Sequence, residues 1–191
     1  MDSAVRIIEN IPLSELLSHL NRGVLFRSRW KLSIEEGEKE LERMLAEYDL
    51  SPLNVKASYG YFTKETVQNF SVNVSYVQGT YPLFAVTTGS EGAEIAKKIF
   101  SEDKYFDYFL FNGLLSELAE SAAGYVNEKV KKELGIERTK RFSPGYPAWP
   151  DISDQQKIVM LLQAGKIGLS LTTSFQLVPE HSITGIVVFQ T

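Results

Sequence analysis

Apolar and polar residues recur along the chain in registers whose changes mark the elements. Leu13, Leu16, Leu17 and Leu20 fall at helical spacing and predict a short amphipathic helix. A second helix is predicted from Ser33. There Ser33-Ile34-Glu35-Glu36 has the capping-box form, Leu41, Met44, Leu45 and Tyr48 follow at helical spacing, and Pro52 is the expected stop. The period then drops to two. Val55, Ala57, Tyr59 and Tyr61 alternate with polar residues, as do Phe70, Val72, Val74 and Tyr76, and both runs read as half-buried strands. Leu83 to Thr88 is an apolar run closed by Gly89, as expected of a central strand, and Ser90 is placed to cap a helix reaching about Phe100.

From Asp103 to Leu134 the pattern is helical without a break, with Gly135 as the C-terminal stop. Such a helix is about 48 Å long. Its apolar stripe is Phe111, Leu115, Leu118, Ala122, Val126 and Val130. Another face carries Gly113, Ser116, Glu120, Ala123, Gly124 and Asn127. A mid-helix glycine costs about 1 kcal/mol relative to alanine, so two on one face imply close approach by a neighbouring strand or by a ligand held by Glu120. Glu117, Glu120 and Glu128, each taken singly, read as solvated charges. Arg141 to Pro150 reads as a proline-rich loop, and Ser153, with Gln156 three residues on, as the cap of a helix ending at Gly165. Ile167 to Leu171, Ser174 to Val178 and Ser182 to Phe189 close the chain as antiparallel strands. Strands interrupted by helices and followed by hairpin-like runs predict a single α+β domain over 1–191.

Composition narrows the function. A net charge of −4 leaves no basic stripe for a nucleic-acid backbone. No apolar run reaches the roughly 18 residues of a membrane span, and the first ten residues lack signal-peptide order, so a cytoplasmic location is expected. Zero cysteine excludes disulfides, thiolate-bound metals and iron–sulfur chemistry. With only His19 and His181 there is no histidine metal cluster, and no phosphate-binding glycine motif occurs. Gly89-Ser90-Glu91-Gly92 reads as a plain strand-to-helix turn.

The segment Arg141-Phe142-Ser143-Pro144-Gly145-Tyr146-Pro147-Ala148-Trp149-Pro150 is the candidate for chemistry. Three prolines stiffen it, and Pro144-Gly145 suits the centre of a type II turn. Gly145 admits a ligand to the backbone, Tyr146 and Trp149 offer aromatic faces, and Arg141 can grip a carboxylate with two prongs. That set suits a zwitterionic amino acid joined to a nucleoside. The alternative is a buried connection whose aromatics fill the core.

At this segment the sequence resembles the S-adenosylmethionine-binding activation domain of cobalamin-dependent methionine synthase. The family's RxxxGYP is matched by Arg141, Gly145, Tyr146 and Pro147. Further matches in family order are Phe84-Ala85-Val86-Thr87, Leu118-Ala119-Glu120 through Tyr125, Glu128 and Val130, the Ala148 to Asp151 tail, and Thr173-Ser174-Phe175 with Pro179, Ser182 and Gly185. The resemblance runs from about Val55 onward. It implies a twisted antiparallel sheet flanked by helices, with S-adenosylmethionine near the RxxxGYP segment. By that resemblance Arg141 takes the methionyl carboxylate, the Ser143 backbone contacts the ligand, Tyr146 lines the site with Gly145 beside it, and Glu120 is an acidic residue near the ligand. The implied role is to present a methyl group for reductive remethylation of cob(II)alamin. Trp149 stands where the family has cysteine, and the nearest candidate for the family's N-terminal aspartate is Glu9.

The family's corrinoid motif is absent, since His19 is flanked by Leu17 and Arg22 where DxHxxG needs Asp and Gly. Cobalamin is therefore expected only through a partner, a cobalamin-binding methionine synthase chain, with a flavodoxin-like or similar electron donor. The chain then reads as a component of that methyltransferase, not a self-sufficient catalyst. Two alternatives stand beside it: a stand-alone small-molecule methyltransferase, which needs a general base the sequence does not name, and a ligand-free scaffold that only binds a partner.

Overall fold

The computed structural model describes residues 5–72 and 80–189. Its frame is an antiparallel sheet of five strands in the order β1 (Arg6–Ile8), β2 (Lys56–Phe62), β3 (Tyr81–Thr87), β7 (Ser182–Phe189) and β4 (Thr139–Phe142). A separate ribbon pairs β5 (Ser170–Leu171) with β6 (Leu177–Val178). The architecture is the expected α+β one.

β3 is central, and all seven of its residues are buried because both sheet faces are covered. Phe84 and Val86 enter a core shared with the long helix α5 (Tyr105–Leu134), while Leu83 and Ala85 enter a second core shared with α6 (Asp154–Leu161). α5 runs 30 residues and stops at Gly135, whose φ of 66° lies in the left-handed region. The predicted stripe is buried throughout, and Leu110, Leu114, Ala119 and Ala123 are buried as well. The helix is wrapped on several sides, by the sheet, by α1 (Leu13–Ser18), by α4 (Glu91–Ser101) and by a π-helix at Val24–Trp30. α2 (Ile34–Glu47) begins with the predicted capping box, Ser33 Oγ accepting from Glu36 N while the Glu36 carboxylate accepts from Ser33 N. It ends at Glu47, ahead of Pro52. A short α3 (Lys64–Val67) follows β2.

Several expectations are corrected. Arg141 belongs to strand β4, not to a loop. Ser90 and Ser153 precede their helices in right-handed helical conformation and make no side-chain cap bond. The helix from Ser153 stops at Leu161 and continues only as a 3-10 turn, Ala164–Ile167, after Gln163 turns left-handed. Phe70 and Val72 lie in irregular backbone, and Val74 and Tyr76 fall outside the described residues. Glu117 is 3% exposed and so is not a solvated charge. Among the described residues no helix is long and apolar enough to cross a membrane.

Candidate functional site

Strand pairing aims the key arginine. On β4, Arg141 sits opposite Val187 and Phe142 opposite Ile186. Opposed residues share a face of the sheet. Val187 belongs to the α5-side core, so Arg141 is directed at α5, and Phe142 packs on the other side. Arg141 Nη2 donates to Glu120 Oε2 at 3.1 Å, and Nη1 to the Glu120 carbonyl oxygen at 3.4 Å. Both side chains stay partly exposed, at 29% and 39%. The pair is therefore open to exchange with a ligand, since partly hydrated ion pairs contribute only about 0–1 kcal/mol.

The turn after β4 is held by its own backbone. Gly145 and Tyr146 donate their N–H groups to the Trp149 carbonyl at 2.7 and 3.2 Å, and Trp149 N donates to the Tyr146 carbonyl at 2.8 Å. Gly145, with φ of 90°, supplies the positive dihedral. Trp149 is fully buried, so its ring is not offered to a ligand. It packs on Phe70, with ring centres 5.2 Å apart, and donates its Nε1–H to Asp154 Oδ2 at 2.9 Å. Asp154, 2% exposed, also accepts from Ser71 N, Ser71 Oγ and Lys157 Nζ. Burial opposes its ionisation, but the bonds from Trp149, Ser71 and Lys157 outweigh that and hold its carboxyl below the usual range. Opposite the turn's entry, Gly185 lets the chain approach closely, because a β-carbon there would collide with the Phe142 carbonyl oxygen and lie 2.9 Å from the Phe84 ring.

A cleft of about 490 Å³ opens beside this turn, lined by Glu120, Arg141, Ser143 and Tyr146 together with Phe84 and Thr184. Four of the five residues singled out in the sequence thus share one cavity. Gly145 does not line it and instead shapes the turn. Tyr146 is 64% exposed and presents a free ring. Gln155 is fixed at the cleft by donating to the Phe175 carbonyl and accepting from Thr184 Oγ1.

The other side of the Arg141–Glu120 pair faces a second cleft of about 440 Å³, which adds Asn21, Arg29, Glu117, Ser121 and Gly124. The small-residue face of α5 divides accordingly. Gly113 packs under the Trp30 indole of the π-helix, not under a strand, and Gly124 has open space above it. Trp30 donates its Nε1–H to the Leu110 carbonyl at 2.8 Å, fastening the π-helix to α5. Arg29, Asn21 and Ser121 were not singled out from sequence: Arg29 lies on a π-helix, which has no simple period, and no motif links it to Asn21 or to Ser121 on α5. Glu9, exposed and 3.7 Å from Lys56, lines neither cleft. His181 lines neither cleft; burial holds its pKa down, and its nitrogens contact Asn112 Oδ1 and Ser116 Oγ. Among the described residues no group of three or more His, Asp and Glu is arranged to hold a metal ion.

Fold and site together define an α+β domain with paired clefts at a sheet edge, crossed by one long helix. The sequence profile described as "Vitamin B12 dependent methionine synthase, activation domain" matches residues 63–191. The chain belongs to that family. It is 30% identical over 128 residues to the methionine synthase of Mycobacterium tuberculosis (strain ATCC 25618 / H37Rv), covering 56% of this chain and 11% of that protein. Against the methionine synthase of Mycobacterium leprae (strain TN) the identity is 29%, with the same coverage. The chain therefore spans about a tenth of the length of these curated relatives. Its fold is also that of a solved structure described as the MetH reactivation domain bound to AdoHcy. The TM-score is 0.76 at 20% identity, over 98% of this chain and 78% of that one.

Proposed function

We infer that this chain binds S-adenosylmethionine across the Arg141–Glu120 pair and presents its methyl group for reductive remethylation of cobalamin carried by a methionine synthase partner. The observation that carries the reading is the convergence of Glu120, Arg141, Ser143 and Tyr146 on one cleft. Family membership and a relative in the same fold whose description names AdoHcy, the demethylated ligand, support it. S-adenosylmethionine supplies an activated methyl group; the acceptor and the electron come from the cobalamin-bearing partner and a flavodoxin-like donor. The chain's own residues do the positioning. Arg141 pairs with the methionyl carboxylate, Glu120 is left free for the ammonium or sulfonium charge, and the exposed Tyr146 ring stacks on the nucleoside. Holding the methyl group in line with its acceptor is worth about 7–11 kcal/mol in effective-molarity terms, so docking geometry governs the rate.

Calorimetric titration of the purified chain with S-adenosylmethionine tests the binding step, and a ligand-free scaffold gives no heat and no thermal shift. The second step is tested by mixing the chain with a synthase truncated of its own activation domain, S-adenosylmethionine and a low-potential reductant. Methylcobalamin formation is followed by absorbance. Equal rates with and without the chain refute the reactivation role, whereas methylation of a free acceptor by the chain alone points to a stand-alone methyltransferase.

A further inference from the structure

The second cleft holds an unsatisfied donor set. Ser121 is 5% exposed, lines the cleft, and its hydroxyl has no hydrogen-bond partner among the described residues. Buried polar groups in native proteins are nearly always paired, so an orphan hydroxyl in a cavity wall marks a place where something polar binds. Three residues on, Gly124 leaves the helix surface uncovered. Arg29 reaches the same cleft from the π-helix. Its Nε donates to Glu117 Oε2 at 2.9 Å, and Glu117 is almost fully buried, so the guanidinium is anchored from one side. Its terminal nitrogens, Nη1 and Nη2, make no hydrogen bond among the described residues. An anchored guanidinium with its fork open is the geometry that reads a carboxylate.

The charges around the cleft reinforce this. Arg29 pairs with Glu117 and Arg141 with Glu120, and Glu128, held by Lys131, adds a third carboxylate to the wall. The methionyl end of S-adenosylmethionine, with a carboxylate, an ammonium and a sulfonium, brings charges of both signs to a wall that offers partners for both. Building on the S-adenosylmethionine reading, we propose that the amino-acid end of the ligand enters this second cleft. Its carboxylate is clamped between Arg29 and Arg141, with the Ser121 hydroxyl as a third donor. The nucleoside then occupies the first cleft beside Tyr146, and the Arg141–Glu120 pair is the shared wall.

The test compares S-adenosylmethionine with 5′-methylthioadenosine, which keeps the nucleoside and lacks the amino-acid end. Arg29→Gln should weaken S-adenosylmethionine about tenfold or more while leaving 5′-methylthioadenosine unchanged. Ser121→Ala should weaken S-adenosylmethionine several-fold without lowering the melting temperature, because it removes an unpaired hydroxyl; a lower melting temperature with unchanged affinity means a packing role and counts against the proposal. Arg29→Gln strands the buried Glu117, so the double variant Arg29→Gln/Glu117→Gln serves if the single one unfolds. Unchanged S-adenosylmethionine affinity in a folded Arg29 variant, or equal losses for the two ligands, overturns the proposal. A wild-type chain that binds no S-adenosylmethionine refutes the functional reading instead. The cleft is then tested with L-methionine, where an Arg29-dependent thermal shift upholds it and no shift overturns it.

Discussion

Replacing Asp154 with asparagine tests whether the turn that bears Tyr146 is held from behind. The Asp154 carboxylate accepts from Trp149 Nε1 at 2.9 Å, Ser71 N at 2.8 Å, Ser71 Oγ at 3.1 Å and Lys157 Nζ at 2.9 Å, with 2% exposure. Asparagine keeps one acceptor oxygen and turns an NH₂ group toward either Lys157 or the Trp149–Ser71 donors. A hydrogen bond to a charged group contributes about 1.5–3 kcal/mol, and breaking a buried charge set costs about 3–5 kcal/mol, offset in part by relief of desolvation. The expected loss is about 3 kcal/mol. For a chain of this size that lowers the melting temperature by about 6–12 °C. The pH dependence carries a sign. Asp154 has a depressed folded-state pKa, so its stabilisation is present above the unfolded value of about 3.9 and is lost as pH falls through the folded value. Wild type should therefore lose more stability than Asp154→Asn between about pH 5 and pH 3. Because the Trp149 carbonyl holds the Gly145 and Tyr146 amides, those two amides should also exchange hydrogen faster in the variant. Circular-dichroism melts across that pH range and hydrogen exchange at neutral pH give the readouts. A melting temperature within about 2 °C of wild type with the same pH slope would show that Asp154 does not hold the turn.

Arg141→Ala should cost at least tenfold in S-adenosylmethionine affinity, measured by calorimetry, with an unchanged circular-dichroism spectrum; a folded variant with wild-type affinity defeats the site assignment. Glu120→Gln should weaken the same ligand yet shift the melting temperature by no more than a few degrees, since its ion pair is partly exposed; a stability loss with intact affinity would mean Glu120 serves packing alone. Gly185→Ala should destabilise by about 1–3 kcal/mol or more in denaturant titration, because the added methyl group meets the Phe142 carbonyl and the Phe84 ring; a neutral effect would show that β4 can move away from β7 at no cost.

What the sequence determined by itself was whatever depends on local periodicity. The stripe from Phe111 to Val130, the Ser33 capping box, the Gly135 stop and the apolar run of β3 each encode their element in neighbouring residues. The Arg141–Tyr146 segment was legible as a ligand-binding candidate because stiff prolines, a glycine and a guanidinium stand close together in the chain. Only the tertiary structure decided which way that guanidinium points. β4 is short, and its pairing with β7, a partner more than forty residues on, sets Arg141 opposite Val187 and hence against Glu120. Long-range packing likewise assigned the two aromatics opposite fates, burying Trp149 on Asp154 and Phe70 while leaving Tyr146 free. It also assembled the second cleft from Arg29 of a π-helix and Ser121 of α5, residues ninety-two positions apart that no common motif links. Short-range patterns fix helices and strands because they rest on a fixed rise and turn per residue. A cleft depends on which strand edge and which helix face meet, and that is a property of the packed whole.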